Sequence, residues 1–262
     1  MPGGNPHFWH PSYPIGGLGK FLYSLRYVNM GKRFSSETRA SEFVMDSKNS
    51  LNSDPIQSMS LKKSRFTEML IEENALDQSG FESWIFCHGM LFNSPDKWWS
   101  DRGLRDFPHE GIDLCLYKDR SGKICRLDEK TRIPAMHDGV IKAIFKDYLG
   151  QAILIEHGEF DSDTGRFISF YAHTNPHANI EAGMIVKEGD SIATLADTSH
   201  LKANIISHLH FSLGRPAKSF SYDRFVWNII REPQKIILVD PLPVIDWPYQ
   251  ALEAGASLCR EL

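Results

Sequence analysis

The stretch from Ile206 to Gly214, ISHLHFSLG, places His208 and His210 one residue apart in a run that otherwise alternates apolar with small polar side chains. In a strand, side chains at i and i+2 leave on the same face, so both imidazoles meet the same neighbours. Such a face suits a metal ion, a proton, or both. Three further polar clusters belong with it. PHEGIDLC supplies His109, Glu110 and Asp113, FYAHT carries His173, and ILIEHGE carries His157 beside a turn.

PHEGID begins like the H-E-x-x-H helix of a zinc protease, in which the glutamate is the general base. Here the fifth residue is Asp113, Pro108 precedes, and Gly111 sits inside. Glycine costs about 1 kcal/mol in a helix interior, and IDLCLY alternates like a strand. The better reading places His109 and Asp113 on a loop entering a strand, offering one nitrogen and one oxygen to a metal. Catalytic zinc takes three protein ligands and keeps a fourth position open. One histidine of His-x-His completes that set. The other, with His173, is left to handle protons, and Glu110 is not needed as a base.

The ordered set of His-x-x-x-Asp, DGVI, ILIEHG, YAHT, EGDSIA and His-Leu-His-Phe resembles the lysostaphin and LytM-type zinc endopeptidases. The resemblance runs over roughly Phe86 to Val244 and includes VDPLPV, similar to the family's closing Asp-Pro segment. It implies that His109, Asp113 and His210 bind Zn2+. It also implies that His173 and His208 flank the metal and the scissile carbonyl as catalytic residues. The implied reaction is hydrolysis of peptide bonds in peptidoglycan stem peptides or cross-links, and the implied place is the cell envelope, periplasmic or secreted. The alternative is a non-catalytic relative that binds peptidoglycan or activates amidases. Such relatives usually lose ligands, whereas all five positions stand here.

The chain departs from the family pattern in two places. The loop ATLADTSHLKANIIS lacks the usual glycine and Gly-Pro before His-x-His, so cleavage specificity does not carry over. An insertion, CLYKDRSGKICRLDEKTRI, stands where the family has a short turn. GMIVKEGDSIATL also resembles the turn of lipoyl, biotinyl and sugar phosphocarrier domains. Their modified-lysine hairpin is missing, and Asp113 fits the zinc reading instead.

The elements that must position these residues are short. Residues 1 to about 60 are rich in Gly, Pro, Ser and Asn without a sustained period, which reads as an extended arm. Phe66, Met69, Leu70 and Leu76 then form one helical face closed by Gly80. From about Phe81 onward, β-branched and aromatic runs are bounded by Gly, Asp, Asn or Pro, which suggests an antiparallel sheet or sandwich. The fold class expected is mainly β, of the duplicated hybrid motif type that the resemblance implies. An N-terminal extension over 1–80 with a short helix packs on a metallopeptidase domain over 81–262, which ends in a helix after Pro248. Docked across the groove, the arm would be a latency segment.

The bulk numbers agree with an ordinary globular protein. Apolar content is 42%, charged content 24% and net charge −4, with no basic block to favour nucleic acid. No apolar run reaches the ~18 residues of a membrane span, and the N-terminus is not a convincing secretory signal. The oligomeric state is open. Of the four cysteines none forms C-x-x-C, which argues against a cysteine-rich zinc site. A hairpin turning near Arg120 to Gly122 would set Cys115 opposite Cys125. His7, His10, His137, His157, His177 and His200 read as ordinary surface or structural histidines. Gly183, Gly189 and Asp190 read as turn residues, and Trp98 and Trp99 as cleft or core.

Overall fold

A computed structural model describes residues 62–261, except 101, 159–165, 202–204 and 254–255. The expected N-terminal arm lies outside the described residues. The apolar spacing after Ser64 gives helix α1 (Phe66–Glu73), which buries Phe66, Met69, Leu70 and Ile71. It ends three residues before Leu76, and the chain turns through Gly80, whose φ of 79° favours glycine.

The architecture is mainly β. Strand β1 (Phe81–Phe86) is followed by β2 (Ile112–Leu114), β3 (Leu116–Asp119), β4 (Ile124–Arg126) and β5 (Arg132–Pro134). The long hairpin strands β6 (Gly139–Lys146), β7 (Gln151–His157) and β8 (Phe167–Pro176) come next, then β9 (Ile185–Val186) and β10 (Ser191–Leu195). Strands β11 (Leu209–Pro216), β12 (Ile236–Val239) and β13 (Tyr249–Ala251) close the order, with helix α2 (Leu242–Ile245) before β13 and the five-residue helix α3 (Ser257–Glu261) after it. The larger sheet runs β12-β11-β8-β7-β6-β9, with β2, β5 and β10 attached beside it. A smaller sheet runs β13-β1-β3-β4, and its β1–β13 pair is parallel.

Strand β11 explains the position of the histidines. Phe211 and Leu213 point to a core that includes Phe66, Tyr171 and Ile112, and Phe66 stacks on Phe211 with ring centroids 4.9 Å apart. His210 and Ser212 take the other face and are also buried. Both faces of the strand are therefore occupied, one by hydrocarbon and one by polar groups.

The insertion forms the expected hairpin, but in another register. Tyr117, not Cys115, lies opposite Cys125, and Leu116 lies opposite Arg126. Asp119 sets the turn: its carboxylate accepts from the backbone of Ser121 and Lys123, each at 2.9 Å. That moves the pairing centre by one residue, from 120 to 121, so Cys125 faces Tyr117. Cys115 and Cys125 are free thiols, and the disulfide joins Cys87 to Cys259 instead.

His157 holds a structural position, as its place after a strand suggested. Its Nδ1 donates to the Asp138 carbonyl at 3.0 Å, so its Nε2 accepts from the Ser169 hydroxyl at 2.7 Å. Burial pushes its pKa down from 6.5 to about 4. Between those values the unfolded chain carries a proton that the folded chain does not, so stability rises with pH. Stability should be full above pH 6.5 and fall by roughly 3 kcal/mol toward pH 4. Denaturant titrations of His157→Asn and the parent across that window should show a smaller slope in the variant. Equal slopes would remove His157 as the source.

Candidate metal centre

The short strand β2 lies beside β11 with Asp113 paired to His210. Gly111 permits this approach, since a Cβ there would stand 2.2 Å from the Phe211 carbonyl oxygen. His109 enters from the loop just before. Three atoms then converge: His109 Nε2 lies 3.1 Å from Asp113 Oδ1 and 3.0 Å from His210 Nδ1, and His210 Nδ1 lies 3.0 Å from the same oxygen. All three residues are buried.

Their outer atoms are held by groups that fix each ring. His109 Nδ1 donates to the Leu91 carbonyl at 3.0 Å, which leaves Nε2 as a lone-pair donor toward the cluster. His210 Nε2 meets the Ser212 hydroxyl at 2.8 Å, so its Nδ1 faces inward. Trp98 Nε1 donates to Asp113 Oδ2 at 2.7 Å and leaves Oδ1 toward the imidazoles. Burial alone would raise the Asp113 pKa. The neighbouring imidazoles, His109 first and then His208, outweigh it and hold the carboxyl well below its usual range.

The donor set fits a zinc ion. Ligand atoms about 2.0–2.1 Å from a tetrahedral zinc stand roughly 3.3 Å apart, close to the spacings of this trio. Each of the three side chains also has an outer partner of the sort that orients metal ligands.

His208 and His173 stand beside the trio. His208 Nδ1 donates to the Ile206 carbonyl at 2.8 Å, and its Nε2 lies 3.9 Å from Asp113 Oδ1. Burial pushes its pKa down to about 3, despite the Asp113 carboxylate, so the ring is neutral near pH 7. The His173 ring lies 4.8 Å from that of His208 and 5.8 Å from that of His210, centroid to centroid.

The orientation of His173 depends on its backbone. Ala172 pairs with His210 across β8 and β11, so strict alternation would turn the next side chain to the opposite face. His173 instead has φ of 63°, an unusual conformation for a non-glycine residue that costs on the order of 1–3 kcal/mol. Asp147, in the turn between β6 and β7, holds it there. One carboxylate oxygen accepts from the His173 backbone N–H at 2.7 Å, and the other lies 3.3 Å from its Nδ1. Burial would raise the Asp147 pKa, but the His173 ring and backbone lower it well below the carboxylate range.

Residues 118–221 match the sequence model described as Peptidase family M23. The matched segment contains His173, His208 and His210, but it starts after His109 and Asp113, whose place in the site rests on the geometry. No curated protein matches the chain. Lysostaphin, solved in solution, is 22% identical at a TM-score of 0.32, over 48% of this chain and 44% of that one. A putative glycyl-glycine endopeptidase LytM from Ruminococcus gnavus is 20% identical at a TM-score of 0.33, over 55% of this chain and 51% of that one. The chain thus spans about half the length of either.

The matched segment lines one side of a cavity of about 350 Å³ over the trio. Trp99, Tyr148, Leu149 and Trp227 give it apolar walls, and Arg105 and Arg231 give it charge. Of these, sequence reasoning singled out only Trp99. It also missed Asp147, although KDYLG is a readable Asx turn: the Asp147 carboxylate accepts from Leu149 and Gly150 N–H at 2.8 and 2.7 Å. Trp98 is core rather than cleft, buried against His208 with centroids 5.1 Å apart.

Proposed function

We propose that the protein is a zinc-dependent endopeptidase that hydrolyses peptide bonds in peptidoglycan stem peptides or cross-links. The observation that carries this reading is the buried His109, Asp113 and His210 trio, open on one side to a cavity where His208 and His173 face it. The match to a peptidase family agrees with it. A zinc ion held by the trio would supply Lewis-acid polarisation of a carbonyl and acidify a water near neutrality.

The chain's own residues supply the rest. Neutral His208, with Nδ1 committed to Ile206, offers the Nε2 lone pair to a proton from the attacking water. His173, set by Asp147, stands where it can donate to the developing oxyanion or to the leaving amine. Positioned acid–base groups of this kind contribute about 10²–10⁴-fold. Glu110 takes no part as a base, because its carboxylate is bound to Arg231 and Trp227.

Action on the cell wall would place the protein in the envelope or outside the cell. The Cys87–Cys259 disulfide supports an oxidising compartment. Among the described residues no helix is long and apolar enough to cross a membrane.

Digestion of purified peptidoglycan, with mass analysis of the products, tests the reading. New amine and carboxyl ends at a peptide bond are expected, with loss of activity after chelation and recovery with zinc. Bound zinc without any cleavage would favour a peptidoglycan-binding or amidase-activating relative.

A further inference from the structure

A second cavity of about 270 Å³, lined by Phe92, Phe107, Ile230 and Leu238, shares Glu110 and Arg231 with the cavity over the trio. Arg231 stands at the junction. Its Nε donates to Glu110 Oε1, and its guanidinium lies over the Phe107 ring, 4.5 Å from the centroid. Neither terminal nitrogen has a hydrogen-bond acceptor among the described residues. The other guanidinium in the cavity is committed: Arg105 donates to the Gly89 carbonyl at 2.9 Å and to that of Asp96 at 3.0 Å, and lies 3.6 Å from Asp113.

The charge count favours an anion at this place. Glu110, Asp113 and Asp147 line the cavity with Arg105 and Arg231. A bound dication therefore leaves the site one positive charge in excess. A planar fork with its outer nitrogens unengaged is the usual receptor for a carboxylate. Glu110 holds the fork in place from its Nε edge, and the Phe107 ring supports its face.

We propose that Arg231 is a specificity residue that binds a carboxylate of the substrate peptide, on a residue near the scissile amide whose aliphatic chain lies over Phe107 and Ile230. This names the substrate class of the peptidase reading above and rests on it. The preferred substrate is then an acidic stem peptide rather than an uncharged bridge.

Two cross-linked stem peptides test this, one with a free side-chain carboxylate on a residue near the scissile amide and one with that carboxylate amidated. Binding is read by tryptophan fluorescence, since Trp99 and Trp227 line the cavity, using full-length zinc-loaded His208→Ala so that turnover does not intervene. The free carboxylate should bind tenfold or more tightly, as a charge-assisted hydrogen-bond pair allows. Arg231→Gln in that background should bring the ratio near one. Because that change leaves Glu110 buried without its partner, Glu110→Gln combined with Arg231→Gln serves as the second variant and should give the same ratio. Equal affinity of the two peptides, or a preference that survives both variants, overturns the proposal. Failure of the peptidase reading looks different: the carboxylate preference would persist while the parent protein cleaved neither peptide.

Discussion

Replacing His208 by alanine is expected to leave about one equivalent of zinc bound while lowering turnover by roughly 10²–10⁴-fold. His210→Ala is expected to lose both the metal and the activity. The two residues differ by one turn of the strand alternation, and their hydrogen bonds separate their roles. His210 Nδ1 sits 3.0 Å from Asp113 Oδ1 and from His109 Nε2, inside the trio. His208 Nε2 is 3.9 Å from that oxygen, outside the shortest contacts. Removing His208 leaves all three proposed ligands and their outer partners at Leu91, Trp98 and Ser212. Metal analysis beside a cleavage assay on both variants decides the matter. A metal-free His208→Ala with a zinc-replete His210→Ala would exchange the two assignments.

Much of this centre was legible in the chain because it is written in local spacing. His-x-His on a strand and His-x-x-x-Asp at a strand entrance need only the two-residue period to be read, and the pairing of Asp113 with His210 follows once β2 and β11 are neighbours. The mainly β architecture was legible for the same reason. What the spacing could not show is which distant groups complete the site. Asp147 reaches His173 across 26 residues, Trp98 reaches Asp113 across 15, and Glu110 meets Arg231 across 121. None of these pairs leaves a periodic mark. His173 shows the limit most clearly, since its ring reaches the site through a positive φ that β propensity argues against. The cysteine pairing failed on a similar point. Symmetry about an assumed turn centre put Cys125 opposite Cys115, whereas the Asp119 turn shifts the hairpin. The Cys87–Cys259 link, 172 residues apart, has no local signal at all.

The boundary at residue 81 drawn from the change of pattern has a testable consequence of its own. A protein starting at Phe81 is expected to lose cooperative unfolding and zinc binding, whereas one starting at Lys62 should keep both. The reason is helix α1, whose Phe66 and Leu70 are fully buried in the main core. Phe66 lies flat on Phe211, at an interplanar angle of 5°, directly beneath the strand that carries His210. Truncating a buried Phe costs about 3–5 kcal/mol and a buried Leu about 2–5 kcal/mol. Together these rival the ~5–15 kcal/mol by which a domain is stable. The helix entrance is also tied down, because Ser64 N–H donates to the Val244 carbonyl at 2.8 Å and its hydroxyl to that of Met136 at 2.9 Å. The single change Phe66→Ala in the full chain should lower stability by about 3–5 kcal/mol, read by denaturant titration. It should also loosen the proposed zinc site through Phe211. The Lys62 start further isolates the first 61 residues: greater activity than the full chain would assign them a latency role, and equal activity would remove it. If the protein starting at Phe81 melted cooperatively and held zinc, α1 would be an appendage and its buried face would need another explanation.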